Sequence, residues 1–348
     1  MSIVEIRDCP GRVFIIGEAG VNHNGKLEIA FKMVDAAKAA GVDAIKFQTF
    51  VSNLVVTKAA PIAEYQKRNT KNRKGQLEMI QNLQLELKDF IELKKYCDEK
   101  GILFLSTPFD IPSVNILTPL VRYFKIPSGE ITNIPFLRYI AGKNKSIILS
   151  TGMADLGEIE RAVATIKEIN SKIKIFLLHC ISNYPCSFED VNLNAIITIR
   201  NAFGLPVGYS DHTEGIEISL AAVALGAVII EKHFTLDKTM MGPDQRFSLS
   251  PSELKQLVLS SRHIESAFGD GIKKPNKEEV KLKTVARRSL IANCDLSTGQ
   301  IIRKKDIAVK RPGDGISPIY HDFILGKTLI KDIKKDEKFT WAHFMLVD

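Results

Sequence analysis

Apolar and polar positions along the first 270 residues alternate between two patterns. Short runs of consecutive apolar, largely β-branched residues are each followed by a longer stretch. The runs are Val13–Glu18, Ala44–Thr49, Leu103–Thr107, Val121–Pro127, Ile147–Thr151, Ile175–Cys180, Pro206–Ser210 and Ala227–His233. Most lack strict in–out alternation, as expected of strands covered on both faces. Helices are expected between them at Leu27–Ala40, Glu86–Lys100, Leu156–Asn170, Ile216–Leu225 and Ser252–Phe268. Ser250, Pro251 and Glu253 form a start signal for the last, and Gly41, Gly101 and Gly226 suit the left-handed residue that ends a helix. Eight β/α units in about 250 residues are the arithmetic of an α/β (β/α)8 TIM barrel. An open doubly wound sheet would usually carry G-x-G-x-x-G after its first strand, and Gly17, Gly20 and Gly25 do not have that spacing.

The pattern then changes. Residues 271–288, rich in lysine and glutamate, read as a partly helical linker between a barrel at 1–270 and a tail at 289–348. The tail has short apolar pieces (Ser289–Ala292, Ile307–Val309, Thr328–Ile330) separated by turn residues, which predicts a small β-rich domain. Alone it could bury little, so it is expected to dock on a larger surface.

Composition narrows the function classes. With 45% hydrophobic and 25% charged residues over 348 positions the chain is globular rather than disordered. The longest apolar run, Leu220–Ile230, is too short to span a bilayer. Glu5, Arg7 and Asp8 precede a first apolar run too short for a secretory signal. Five cysteines (Cys9, Cys97, Cys180, Cys186, Cys294) show no C-x-x-C pair, which suits free thiols in a reducing cytoplasm. The net charge of +8 is spread along the chain with no aromatic–basic pattern, against nucleic-acid binding and in favour of steering a small anion.

In a TIM barrel the chemistry gathers at the C-terminal ends of the strands, and here nearly every strand ends in polar residues. The first ends at Glu18, followed by Asn22, His23 and Asn24; the second carries Lys46 and Gln48 on one face. The third ends Ser106-Thr107-Pro108, the fourth gives Lys125 then Ser128-Gly129-Glu130, and the fifth ends Ser150-Thr151-Gly152. The sixth ends His179-Cys180 before Ser182 and Tyr184, the seventh Ser210-Asp211-His212, the eighth Glu231-Lys232-His233. Two lysines inside a barrel, beside three hydroxyl-bearing turns, point to a substrate with phosphate and carboxylate groups. His212 and His233, at the ends of neighbouring strands near Asp211 and Glu231, point to a divalent metal. His179 suits a core hydrogen bond as well as a site, and His23 suits loop orientation.

At these residues the chain resembles the sialic acid synthase family. The matching segments are Glu18-Ala-Gly-Val-Asn-His-Asn-Gly25, Lys46-Phe-Gln-Thr49, Leu105-Ser-Thr-Pro-Phe109, Lys125-Ile-Pro-Ser-Gly-Glu130 and Leu149-Ser-Thr-Gly-Met153. Tyr209-Ser-Asp-His212, Glu231-Lys-His-Phe234, Gly242-Pro-Asp244 and Lys310-Arg-Pro-Gly313 continue the match into the tail, which looks like an antifreeze-like (SAF) domain. The resemblance implies a barrel enzyme with a divalent metal (manganese, magnesium or cobalt) held by His212 and His233, acting as a domain-swapped homodimer. It implies that Lys46, Thr107, Lys125, Ser128, Ser150, Ser182 and Ser210 hold phosphoenolpyruvate. Glu18, Gln48, Glu130, Tyr184 and Asp244 would line the sugar side, with Glu18 or Glu130 moving protons. Arg311 would reach the sugar from the partner subunit. Ser182 departs from members with asparagine at that place.

The implied reaction joins phosphoenolpyruvate to an open-chain N-acetylated amino sugar. The first reading is N-acetylneuraminate synthesis from N-acetylmannosamine. The alternative is a legionaminate or pseudaminate synthase using a 2,4-diacetamido-trideoxyhexose.

Overall fold

The computed structural model describes residues 5–6, 11–70 and 75–344, without the side chains of Tyr65 and Arg68. Arg7, Asp8 and Cys9 therefore lie outside the described residues. The chain forms two compact units that meet in sequence between Phe268 and Gly269.

The first unit contains eight parallel strands: β1 (Phe14–Gly20), β2 (Ala44–Thr49), β3 (Leu103–Pro108), β4 (Tyr123–Ile126), β5 (Ser146–Ser150), β6 (Ile175–Cys180), β7 (Val207–Asp211) and β8 (Ile229–His233). They pair in the order β3-β2-β1-β8-β7-β6-β5-β4. β3 and β4 lie side by side and bring the ends of the sheet together without a paired ladder. This is the TIM-like architecture expected from the sequence, with each predicted strand found within two residues of its expected bounds.

Small boundary differences have local causes. Val121 belongs to the preceding turn because its N–H donates to Leu117 O, 3.0 Å, and Pro127 has no N–H for a ladder. Between β3 and β7 three α-helices escaped the pattern: Ile111–Leu117, Ile134–Ala141 and Asn194–Phe203. The first two begin with proline in their first turn, capped by Asp110 and Asn133 respectively, and proline reads as a turn when periodicity is short. The helix Pro251–Ala267 starts with the expected Ser250/Glu253 box, and Gly41 and Gly101 end their helices in the left-handed region.

Strand geometry sorts the barrel into two apolar systems. One set of alternate positions (Phe14, Ile16, Ala44, Leu103, Leu105, Tyr123, Ile148, Phe176, Leu178, Ile229) forms an inner cluster. The other set packs against the surrounding helices in a larger core. Inside the barrel the strands crowd at Gly208, where a β-carbon would stand 2.7 Å from Leu178 Cδ2 and 2.5 Å from Ile229 O. The inner cluster fills the N-terminal half, so side chains two residues further along each strand form the floor of the C-terminal mouth.

In the second unit, β9 (Ser289–Ala292) pairs antiparallel with β10 (Ile307–Lys310). Isolated bridges join Ile291 to Lys338, Leu296 to Ile333 and Ile301 to Thr328, so Thr328–Ile330 contributes a bridge rather than a strand. Nine buried residues from Leu290 to Phe339 form its own core. The linker, read as partly helical, has one helix, Lys277–Ala286, opened by an Asn276/Glu279 capping box. Gly313 N donates to Thr284 O, 2.7 Å, and Arg311 Nε to Ala286 O, 3.1 Å, so this helix is tied to the tail. Among the described residues no helix is long and apolar enough to cross a membrane.

Candidate active site

Continuing the inner set of each strand leads from the apolar layer to Glu18, Lys46, Thr107, Lys125, Ser150, Ser210 and Glu231, all buried. They line a cavity of about 420 Å³ at the C-terminal mouth, joined by Gln48, Ser128, Ser182, Tyr184, His212 and His233. Nine of these thirteen lie at inward positions of seven strands and converge because the side-chain period is two, while Ser128, Ser182, Tyr184 and His212 follow the ends of their strands. Of the sequence-predicted residues, Glu130, Asp244 and Arg311 do not line this cavity.

The four ionisable groups form one network. Lys46 Nζ stands 2.8 Å from Glu18 Oε2 and 3.7 Å from Glu231 Oε1, and donates to Thr107 Oγ1 at 3.0 Å. Lys125 Nζ and Ser210 Oγ both donate to Glu231 Oε1, at 3.0 and 3.1 Å. Burial pushes the Glu18 carboxyl up to about 7, with Lys46 opposing and Glu231 adding to the rise. Burial also acts on Glu231, but Lys125 and Lys46 outweigh it and hold that carboxylate low. Lys46, between two carboxylates, is raised despite burial; Lys125 is lowered by burial, with Glu231 opposing and Lys46 repelling it. Two lysines share this floor with two carboxylates, and burial biases one of these, Glu18, toward its neutral form. Ser150 Oγ makes no hydrogen bond though buried. Such a floor suits an anion.

The turn after β5 builds one wall. Gly152 N donates to Ser128 Oγ, 3.0 Å, and Ser128 Oγ meets Cys180 Sγ at 3.1 Å. A β-carbon at Gly152 would fall 2.4 Å from Ser182 Oγ and 2.8 Å from Ser128 Oγ, so only glycine lets these hydroxyls gather there.

The opposite wall is aromatic. His212 and His233 have ring centroids 5.7 Å apart, and Tyr184 lies over His212 at 4.1 Å. Phe247 packs against Tyr184 and His233. Burial keeps both imidazoles neutral: His212 is pushed down to about 4 and His233 well below its usual range, the latter also by its histidine neighbour. His212 Nδ1 bonds Ile181 O at 2.6 Å; a carbonyl only accepts, so Nδ1 carries the hydrogen and Nε2 keeps its lone pair. His233 Nδ1 is buried without a hydrogen bond. Two neutral imidazoles with free nitrogens suit a transition or manganese ion. Among the described residues no three histidine, cysteine or acidic side chains form a cation cage, so water or substrate would complete the ligand set.

Strand parity also separates neighbours that the sequence places together. Asp211 points away from the histidines: it accepts from Thr213 N and Oγ1 and Ser219 Oγ, and pairs with Lys232 at 2.9 Å. It fixes the loop that carries His212 and belongs to no metal shell. His179 bonds Val191 O at 2.8 Å and is a core histidine; His23 accepts from Gly25 N and orients its own loop. Glu130 accepts from Asn133 Nδ2 at 2.6 Å in a local turn. Asp244 is buried, with its carboxyl raised by burial to about 7, and lines an adjoining cavity of about 280 Å³ that shares Gln48, Gln76, Phe109, Tyr184 and His233 with the first. Arg311 is exposed on the second unit, in a hollow with Lys310, Pro312 and Thr340.

The sequence reading passed over Glu231 as a site residue, although its place two residues before His233 puts it on the inner face. Gln76, Phe109 and Phe247 come from loops and short helices, where no period marks them.

Comparison with known proteins identifies the lineage of this arrangement. The NeuB family model matches residues 33–273, and the SAF domain model matches 287–345. The chain belongs to the NeuB family. Among NeuB relatives it is 50% identical over 328 residues to an N,N'-diacetyllegionaminic acid synthase of Campylobacter jejuni, covering 94% of this chain and 98% of that one. It is 46% identical to the N,N'-diacetyllegionaminic acid synthase of Legionella pneumophila, over 95% of this chain and 94% of the other. Among solved structures it resembles the N-acetylneuraminic acid synthetase of Leptospira borgpetersenii, with a TM-score of 0.68 and 41% identity over 77% of this chain and 89% of that one. These relatives support the legionaminate alternative better than the first, N-acetylneuraminate, reading.

Proposed function

We propose that this chain condenses phosphoenolpyruvate with a 2,4-diacetamido-trideoxyhexose, forming a legionaminate-type nonulosonic acid and releasing phosphate. The observation that carries the reaction class is the inward tier of Lys46, Lys125, Glu18 and Glu231 facing two neutral imidazoles across one cavity. The choice of sugar rests on the two legionaminic acid synthases.

In this reading C3 of phosphoenolpyruvate attacks the sugar aldehyde, whose oxygen takes up a proton. Water adds at C2, and the C2–O bond to phosphate breaks. Lys46 and Lys125 hold the carboxylate and phosphate, exchanging part of their pairing with Glu18 and Glu231 for the substrate. Thr107, Ser128, Ser150, Ser182 and Ser210 supply hydroxyls around the phosphate. Gln48, Tyr184 and Asp244 orient the sugar. His212 and His233 would hold a divalent metal (manganese, with magnesium or cobalt in its place), which when bound polarises the aldehyde oxygen. The deciding assay is phosphate release from phosphoenolpyruvate with each acceptor. A kcat/KM for the diacetamido sugar at least tenfold above that for N-acetylmannosamine supports the assignment; the reverse order overturns it.

Glu18 is assigned as the acid that protonates the aldehyde oxygen. Its proton is present below about pH 7 and lost above it, so kcat falls as pH rises through that value. Glu18→Gln should remove this limb and lower kcat by about 10²–10⁴-fold. Glu130→Gln should keep the limb, because Glu130 bonds Asn133 instead. A limb that survives in Glu18→Gln refutes the role.

Arg311 is assigned to the sugar of the other subunit in a domain-swapped homodimer; its guanidinium is exposed and its neighbouring turn is held by Ser289 Oγ through Pro312 O and Gly315 N. A mixed dimer of His212→Ala with Arg311→Ala tests this. Contact in trans leaves one complete site and returns about half the activity; contact in cis leaves none.

A further inference from the structure

The cavity that adjoins the active site has a different character from its neighbour. Its walls are Val55, Val56, Met79, Ile80, Leu83 and Phe109, from the segment between β2 and the helix Asp89–Lys100 and from the end of β3. Several of these belong to a small apolar cluster with Val21, Phe50 and Ile62, separate from the main core. An apolar hollow of about 280 Å³ opening onto a charged catalytic floor is not needed to bind phosphoenolpyruvate, whose groups are anionic. His233 and Tyr184 line both spaces, so a chain molecule with its aldehyde at the histidines extends into the hollow.

From this geometry we infer that the hollow is the specificity pocket for the far end of the acceptor sugar, and that it selects a deoxygenated, second-acetamido terminus over a hydroxylated one. The inference rests on the proposed condensation and names what fixes its substrate. A 2,4-diacetamido-trideoxyhexose ends in a methyl group and carries an acetamido group where N-acetylmannosamine has hydroxyls. Seating hydroxyls against Val55, Met79 and Ile80 would strip them of water without replacement partners, whereas methyl groups gain by leaving water. Asp244, Gln66 and Gln76 also line it and provide polar groups for the amide. Discrimination of this kind by an apolar pocket reaches roughly 10–200-fold per methyl-sized difference.

The test compares three acceptors in the phosphate-release assay: the diacetamido sugar, N-acetylmannosamine, and 2-acetamido-2,6-dideoxymannose, which changes only the terminal group. Wild type should prefer them in the order diacetamido, 6-deoxy, N-acetylmannosamine. Val55→Phe fills the hollow and should reduce the ratio of kcat/KM between first and last at least tenfold, through KM for the diacetamido sugar. KM for phosphoenolpyruvate should stay within about twofold, since selective loss falls on the contact removed. Val55→Thr, nearly the same shape, is a second variant that avoids any packing failure and should lower the ratio about threefold. An unchanged ratio in Val55→Phe and Val55→Thr, or an equal loss for all three sugars, overturns the pocket while leaving the condensation intact. Absence of phosphate release from wild type with every acceptor overturns the proposed reaction itself, and the pocket with it.

Discussion

Lys125→Met is expected to lower kcat/KM for phosphoenolpyruvate by about 10²–10⁴-fold, the scale of losing one desolvated charge contact to a substrate. Lys232→Met should leave that constant nearly unchanged. Both lysines are buried and both pair with a carboxylate, Lys125 with Glu231 at 3.0 Å and Lys232 with Asp211 at 2.9 Å. They differ in the side of the sheet they face. Glu231 points into the mouth of the barrel; Lys232, the next residue on β8, points outward and also donates to Thr213 O, 2.5 Å. Either substitution removes the nearest cation from a buried carboxylate that keeps other donors, and should cost at most about 3–5 kcal/mol of stability, so thermal stability alone does not separate them. Ligand protection does. Saturating phosphoenolpyruvate should raise Tm in wild type and in Lys232→Met by mass action, and should fail to do so in Lys125→Met. Equal protection in both variants would remove Lys125 from the substrate site.

That contrast also shows what the sequence made legible. Strand position and period place Lys46, Gln48, Thr107, Lys125, Ser150 and Ser210 at the mouth, since side chains two apart share a face and the strands are long enough to count from. The same period, applied one step more strictly, excludes Asp211 and includes Glu231. Pairing partners are a different matter. Nothing in the local sequence says that Lys125 on β4 meets Glu231 on β8, 106 positions away; that follows from sheet order and closure. Loops carry still less information. Glu130 reads as a strand-end acid, but the short 3-10 turn at Ser128–Glu130 swings it toward Asn133. The hollow beside the site is built from the short helices Ser52–Val55 and Gln76–Gln81, whose few residues hold no readable period. The placement of Arg311 on the second unit was legible, because it sits at the end of β10 beside a Pro-Gly turn; its reach into a partner depends on assembly.

The second large effect concerns the histidines. His212→Ala and His233→Ala should each abolish stoichiometric manganese binding and lower turnover by more than about 100-fold, beyond the effect of losing a supporting group around a metal. Three features of the wall suit both rings to a ligand role rather than to packing alone. They are neutral because burial disfavours the imidazolium, so each offers a lone pair. The hydrogen bond of His212 Nδ1 to Ile181 O fixes its tautomer and turns Nε2 free, the arrangement in which a metal-binding imidazole is oriented by a carbonyl. Tyr184 and Phe247 pack on the rings and hold the pair at 5.7 Å between centroids, sparing the site the entropy of ordering two loose side chains. His179 supplies the control. It is a histidine at the end of β6, but its Nε2 is committed to Val191 O, so His179→Ala should reduce stability and leave manganese content near one per chain. Metal analysis after dialysis, followed by turnover with added manganese, reads both predictions on the same samples. Full manganese content in His212→Ala and His233→Ala together, with turnover retained, would show that the rings pack the wall and hold no ion.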